Sequence, residues 1–366
     1  MGNVLVVGTG TIGKPLIGLL TKRMEGLGIS QVAFHKRTPQ ADTTPSIRRL
    51  VDRGALLVCD EEARDDFHRY GLEPQMTRDE ALAWADVVID CTPAGNAHKT
   101  GRAVNKKGVV VECPPWYPAH EDSTLGFIAQ GSEEGFGQPF ALDINNEQVD
   151  PNAHKYVQVV SCNTHNLLVL LDLFGKLGVG RIKGRFVMIR RATDISQPDN
   201  VSAPKVDKHK ELRGDRHFGT HHAYDAWRVL QTMGVDYDLF SSALQTPTQY
   251  MHVLHFFLEV ERPPSHEEII AAIRERPLVA TTEYCNTGQA FSEARDDGFY
   301  GRVLDQTVIP VKTLVVNGNE ITGFAFTPQD GNSLLSTAAA AARFLDPVGW
   351  RDRITNCFGK YMFDEV

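Results

Sequence analysis

Cys162 is the residue in this chain best placed to form a covalent bond with a substrate. It stands in Tyr156-Val157-Gln158-Val159-Val160-Ser161-Cys162-Asn163-Thr164-His165-Asn166, where a strand-like run gives way to Leu167, Leu168, Leu171 and Phe174 at helical spacing. The spacing predicts a strand-to-helix junction with Cys162 just ahead of the helix N-terminus. Unpaired N–H groups and the helix dipole there favour a thiolate, the form of cysteine that attacks an aldehyde carbonyl. A free cysteine is equally often an inert packing residue, and spacing alone leaves the two readings level.

Other polar residues sit where chemistry needs them. Arg190 and Arg191 follow Phe186-Val187-Met188-Ile189, an apolar strand pattern. Neighbours on a strand face opposite sides, so one of the two cations is expected to point inward and bind an anion. His221-His222-Ala223 opens a helical stretch, and His252 begins a strand-like one with His255 three residues on. Taken alone, His252 reads as an ordinary strand histidine. Six cysteines without a CxxC and thirteen histidines without an HExxH give no metal-ligand spacing, so no metal is expected.

These residues need a scaffold, and the first half of the chain reads as a nucleotide-binding sheet. Residues 3–7 form a short apolar run that leads into Gly8-Thr9-Gly10-Thr11-Ile12-Gly13 and then an amphipathic stretch from Lys14. In a strand–turn–helix of this kind Gly8 permits the tight turn and Gly10 lets backbone approach a pyrophosphate. Gly13 lets the helix pack on the strand, and the helix N-terminus offers N–H groups to the anion. The next strand pattern ends in Lys36-Arg37-Thr38-Pro39, two cations and a hydroxyl where an NAD-binder carries an acid. That composition favours a 2′-phosphate, hence NADP over NAD. Asp86-Val87-Val88-Ile89-Asp90 and Gly108-Val109-Val110-Val111-Glu112 read as further buried parallel strands, with Thr92 at a carboxyl end facing the cofactor.

A chain of 366 residues accommodates two domains, and 42% hydrophobic with 23% charged residues suits a substantial core. The formal charge of -8 argues against a nucleic-acid-coating role. The sequence shows no membrane-spanning run and no signal-peptide pattern, and dispersed cysteines fit a reducing cytoplasm.

Several blocks together resemble the archaeal-type (type II) glyceraldehyde-3-phosphate dehydrogenases. They are Gly8-Thr9-Gly10-Thr11-Ile12-Gly13-Lys14, Lys36-Arg37-Thr38-Pro39, Val159-Val160-Ser161-Cys162-Asn163-Thr164, and Arg190-Arg191-Ala192-Thr193-Asp194. His221-His222-Ala223-Tyr224-Asp225, Pro247-Thr248-Gln249-Tyr250-Met251-His252, Asn319-Glu320-Ile321 and Gln329 follow in the same order. The resemblance implies Cys162 as nucleophile and His252 as the base that activates the thiol and manages the carbonyl proton. Ser161, Asn163, His222, Ala223 and Arg190 would meet the substrate. Gly8, Gly10, Thr11, Ile12, Gly13, Lys36, Arg37, Thr38, Thr92, Arg191 and Gln329 would meet the dinucleotide. It further implies a phosphorylated aldehyde and inorganic phosphate as reactants in glycolysis or gluconeogenesis, and a homotetramer.

The expected fold is an α/β Rossmann domain over residues 1–155, then an α+β catalytic domain with a mainly antiparallel sheet over 156–330. Helices in 331–366 would return to the first domain. Alternating stretches at 181–191, 250–261 and 308–316 suit that sheet. The chain departs from the family at His165-Asn166, at Ala223-Tyr224 and at Glu112-Cys113-Pro114-Pro115-Trp116, where the family has a Gly-Gly loop. Bulk at such positions changes a substrate more readily than a reaction. Three other readings stand beside the principal one: thioester chemistry on another aldehyde or acyl phosphate such as a semialdehyde, a hydroxy-acid or alcohol dehydrogenase with no covalent step, and a non-catalytic NADP-binding protein.

Overall fold

The computed structural model describes residues 1–104, 109–131, 133–192, 202–328 and 330–366. The chain divides into two compact units. One comprises Met1–Gln138, Val149–Val159 and Ser336–Gly359, the other Pro139–Gln148, Val160–Leu335 and Lys360–Val366.

The first unit is built on a parallel sheet. Its strands run in the order Met76–Thr77, Leu56–Cys59, Ile29–His35, Gly2–Val7, Val87–Asp90, Gly126–Gln130, Tyr156–Val159, with every neighbour parallel. Val4 to Val7 and Val87 to Ile89 are almost wholly inaccessible to water, as continuous apolar strands covered on both faces must be. Strand order reverses between Gly2–Val7 and Val87–Asp90, and the carboxyl ends at such a switch point form a crevice for ligands.

One expected strand lies elsewhere. Val110–Glu112 forms an antiparallel hairpin with Arg102–Val104, and Val109, Val110 and Val111 are exposed. The place beside Val87–Asp90 belongs to Gly126–Gln130, whose Phe127, Ile128 and Ala129 are fully buried. Burial here follows sheet position, which an apolar triplet does not by itself determine.

The second unit carries a larger mixed sheet. Ile182–Arg190 lies antiparallel to His252–Val260, which lies antiparallel to Glu320–Thr327. Ile182–Arg190 also pairs parallel with Asp238–Gln245 from Lys183 onward, and Val279–Thr282 pairs parallel with Thr307–Pro310, so the mainly antiparallel sheet contains parallel pairs. The reading of 308–316 as one strand gives way to Thr307–Pro310, a 3-10 turn over Val311–Thr313, and Val315–Asn317. Pro310 has no N–H with which to continue a ladder.

Along His252–Val260 buried and half-buried residues alternate strictly. His252, Leu254, Phe256, Leu258 and Val260 face inward. Helices Cys162–Lys176 and His221–Thr232 cover that face through Leu167, Leu168, Leu171, Phe174, Ala226 and Leu230. Each fully buried Leu or Phe contributes about 1.5–3 kcal/mol, which fixes the helix carrying Cys162 on the sheet.

Helix Gly331–Leu345 passes from the second unit into the first at Ser336, and Trp350–Phe358 belongs to the first. The last residues rejoin the second unit, with Val366 N–H donating to Thr281 O and Thr281 N–H to Asp364 O. No helix among the described residues is long and apolar enough to cross a membrane.

Candidate active site

The glycine turn of the first unit has the geometry of an anion cradle. Gly8 has φ +97°, a conformation that side chains disfavour, and a Cβ there would meet Thr92 at 2.8 Å. A Cβ at Gly13 would lie 2.1 Å from Gly8 O, so only glycine lets the helix start this close to the turn. At Gly10 a Cβ would meet no protein atom within 4 Å. Its packing does not demand glycine, whereas close approach of a ligand to the backbone does. Helix Gly13–Lys22 begins after Ile12 with no side chain capping it, which leaves amide groups suited to a phosphate. The residues present therefore fit a dinucleotide pyrophosphate.

A cavity of about 320 Å³ opens at these strand ends, lined among others by Gly8, Lys36, Arg37, Thr38, Thr92 and Trp116. Burial holds Lys36 below the ordinary lysine range, with Asp42 opposing the shift and Lys14 adding to it. A half-buried cation of this kind gains from an anionic partner. Thr92 is committed to the scaffold: its N–H and hydroxyl both donate to Asp90 Oδ1, at 2.8 and 2.7 Å. Asp90 is fully buried and its Oδ2 also accepts from Tyr117 (2.5 Å) and pairs with His98 Nδ1 (2.6 Å). Sequence reading missed this cluster; its signal was an acid closing a buried strand.

In the second unit Cys162 is the first residue of helix Cys162–Lys176, half-buried, with Ser161 at the cap. Ser161 Oγ shares a hydrogen bond with Thr164 Oγ1 (2.9 Å) instead of capping a helix N–H. Burial, then the nearby Asp330 carboxylate, push the thiol up to about 12, against the Asn163 amide and the Arg191 charge. The expected thiolate is thereby corrected for the unliganded chain: desolvation outweighs the helix terminus, and Cys162 rests as a thiol.

A buried polar network fixes the helix start. Asn166 Nδ2 donates to Thr327 Oγ1 (2.8 Å), Thr327 Oγ1 donates to Asn163 Oδ1 (3.1 Å), and Thr307 Oγ1 donates to Asn166 Oδ1 (2.8 Å). Asn332 Nδ2 donates to Cys162 O (2.9 Å). Asn163, expected at the substrate, thus has its carboxamide oxygen in the scaffold. The departure at His165-Asn166 has the same explanation. His165 is buried, hydrogen-bonds through Nδ1 to Ser161 O (3.0 Å), and is held by burial down to about 4. Four polar residues opening an apolar helix, 163–166, were the signal of this network.

Thr327 is also the register partner of His252. His252 is 6% exposed, and its Nδ1 accepts the Arg191 N–H at 2.9 Å. Burial, then Arg191 and Arg190, hold it down to about 3. Neutral His252 with Nδ1 accepting carries its proton on Nε2. His222 is buried too, with Nδ1 3.1 Å from Thr220 Oγ1, and lies well below the usual histidine range through burial, His221, Arg190 and His252.

The two arginines of the block differ in their partners. Arg190 ends its strand and binds both carboxylate oxygens of Asp207 at 2.7 Å, while Arg191 acts electrostatically on both Cys162 and His252. Arg190, expected at the substrate, is bound to Asp207 and also acts electrostatically on His222 and His252. Ala223 as a phosphate ligand is corrected, because it is fully buried and its amide donates to Ser241 Oγ (3.1 Å). Gln329 lies outside the described residues. No cluster of three or more His, Cys, Asp or Glu suited to a metal occurs among the described residues.

A glyceraldehyde-3-phosphate dehydrogenase of Hyperthermus butylicus is 28% identical over 86% of this chain and 84% of its own length. That of Methanothermus fervidus is 27% identical over 82% of each chain, and that of Archaeoglobus fulgidus 28% identical over 80% and 78%. Along most of its length the chain is thus similar to archaeal glyceraldehyde-3-phosphate dehydrogenases. None of the protein-family models matches it.

Proposed function

We propose that this chain is a phosphorylating, NADP-preferring glyceraldehyde-3-phosphate dehydrogenase working through a thioester on Cys162. The observation that carries this reading is Cys162 at a helix start with Arg191 acting on both it and His252, in a chain similar to enzymes of that name along most of its length.

Cys162 Sγ adds to the aldehyde carbon and the carbonyl electron pair moves to oxygen, giving a hemithioacetal after one net proton transfer from sulfur to oxygen. His252, neutral with its proton on Nε2, suits donation to that oxygen better than removal of the thiol proton. When bound, the dinucleotide would supply the acceptor for the hydride that leaves the same carbon, while the hydroxyl proton passes to solvent and the carbonyl of the thioester re-forms. Phosphate oxygen then attacks the thioester, the C–S bond breaks, and Cys162 is restored as the acyl phosphate departs. Arg191 and His222 are the groups we assign to phosphate recognition, and Lys36, Arg37 and Thr38 those we assign to a 2′-phosphate.

The engaged amide of Ala223 favours a second reading, the same chemistry on a differently shaped aldehyde such as a semialdehyde. We further infer a cytoplasmic homotetramer. The outer face of the second unit's sheet supports association: Val187, Ile189, Val253 and Phe257 are only half-buried, and Phe324 is exposed.

The test is cofactor reduction with glyceraldehyde 3-phosphate, NADP and inorganic phosphate, in wild type and Cys162→Ser. Phosphate-dependent turnover abolished by the substitution is expected. Turnover in Cys162→Ser near the wild-type rate would overturn the covalent mechanism. Phosphate-dependent turnover of a semialdehyde alone would select the second reading.

A further inference from the structure

Trp116 and His98 line the same cavity as Lys36, Arg37 and Thr38, and nothing in the reading so far gives them a task. Their rings are stacked, centroids 3.7 Å apart and 12° from parallel. The pair is held from several sides. Asp90, fully buried, takes His98 Nδ1 at 2.6 Å. The Arg78 guanidinium lies over the indole ring as well, 4.7 Å from its centroid, and is itself tied to Asp60 at 2.8 Å, so a base meets the side of the pair turned to the cavity. His35 meets the indole edge-on at 5.6 Å, and the backbone N–H of Trp116 donates to His98 O at 2.7 Å. A wall fixed this way loses little freedom when a flat ring packs against it.

The place of the wall selects the ring. Lys36, Arg37 and Thr38 follow strand Ile29–His35 directly, where a Rossmann sheet meets the ribose of the adenosine half. Adenine is bonded to that same ribose, whereas the nicotinamide lies beyond the pyrophosphate at the glycine turn. Within one cavity of about 320 Å³, a base attached to a ribose at Lys36–Thr38 has Trp116 and His98 within reach.

We propose that the stacked Trp116–His98 pair, anchored by Asp90 and Arg78, is the adenine-binding wall of the dinucleotide pocket and a determinant of its affinity. This rests on the dinucleotide reading of the glycine turn. It gives the Pro114-Pro115-Trp116 departure from the family's Gly-Gly loop a function: the two prolines, which restrict backbone freedom, deliver an indole to the cavity.

The test is isothermal titration of the full-length protein with NADP, NAD and adenosine 2′,5′-bisphosphate, with no turnover involved. Trp116→Ala is expected to weaken all three by a similar factor, about 5- to 100-fold, the range for losing one aromatic partner of a base. Trp116→Phe, which keeps a ring, should stay within about threefold of wild type. Lys36→Ala should weaken only the two ligands that carry a 2′-phosphate. His98→Ala provides the same reading should Trp116→Ala fail to fold. Unchanged affinities in a folded Trp116→Ala or His98→Ala protein overturn the wall while leaving the dinucleotide site standing. Wild type that binds none of the three ligands overturns the dinucleotide reading, and the wall with it.

Discussion

The backbone amide of Arg191 donates to Nδ1 of His252 at 2.9 Å, and this bond determines which nitrogen of the imidazole carries the proton. The arginine side chain acts on the same histidine from outside, helping burial hold it down to about 3. One residue therefore sets the tautomer of its neighbour and helps burial keep it neutral. His252 stays neutral from pH 5 to 9, so turnover should show no acid limb near 6.5 that His252→Asn removes. His252→Asn should lower kcat by about 10²–10⁴ while NADP affinity, read by titration, holds. A limb near 6.5 in wild type that disappears in the variant would show that the histidine ionises in the working range.

Stability should follow the buried histidines. His165 and His221 are held down to about 4 and His252 to about 3, chiefly by burial. In the unfolded chain each takes up a proton near 6.5, so the unfolded state binds more protons than the folded state below that pH. Their contribution is full above 6.5 and is lost as pH falls toward the folded values. Urea unfolding should therefore give a falling midpoint from pH 7 to pH 5, and His165→Asn should flatten that slope. An equally steep slope in the variant would assign the loss to other groups.

Cys162 as a resting thiol makes a different forecast from a standing thiolate. With the group pushed up to about 12, iodoacetamide labelling of Cys162 in the unliganded protein should be slow at pH 7 and rise about tenfold per pH unit to at least pH 10. Mass spectrometry of the Cys162 peptide provides the rate. A plateau reached by pH 8 would mean that the helix terminus and Arg191 outweigh burial after all.

The sequence made legible the features whose cause is local. The glycine turn announced itself because Gly8 and Gly13 answer steric demands within a few residues of each other, and Cys162 because a strand pattern meets a helical one at that point. The misplaced strand at Val109-Val110-Val111 shows the limit: an apolar triplet fits the sheet or a hairpin equally, and its pairing with Arg102–Val104 decides. Asn166, Thr307 and Thr327 were invisible for a related reason. Their hydrogen bonds join residues more than 140 positions apart, which no spacing rule reaches. Asp207, which pairs with Arg190, stands 17 positions further on, again outside the reach of a spacing rule.

That network yields its own forecast. Asn166→Ala removes the acceptor of Thr307 and the donor to Thr327 from a fully buried site. Leaving such groups without partners costs about 1–3 kcal/mol each, so a loss of about 2–6 kcal/mol in urea unfolding is expected. Thr327 also pairs in register with His252, so kcat should fall in Thr327→Val beyond what its folded fraction explains. A Thr327→Val protein that is less stable yet fully active would reduce the network to scaffold alone.

We expect cofactor choice to rest on the two cations after the second strand. Lys36 and Arg37 line the dinucleotide cavity together with Thr38, and the half-buried Lys36 is disfavoured by desolvation until an anion joins it. A charge-assisted hydrogen bond contributes about 1.5–3 kcal/mol, equivalent to roughly 10- to 150-fold in affinity. Lys36→Ala with Arg37→Ala should therefore weaken NADP by at least tenfold and leave NAD within about twofold, since NAD has no 2′-phosphate to lose. The ratio of the two dissociation constants at fixed ionic strength is the quantity to follow, because exposed charges are screened by salt. An unchanged ratio would place the 2′-phosphate elsewhere and make the basic turn a solvated surface. A ratio that moves only at low salt would assign the cations long-range attraction instead of contact.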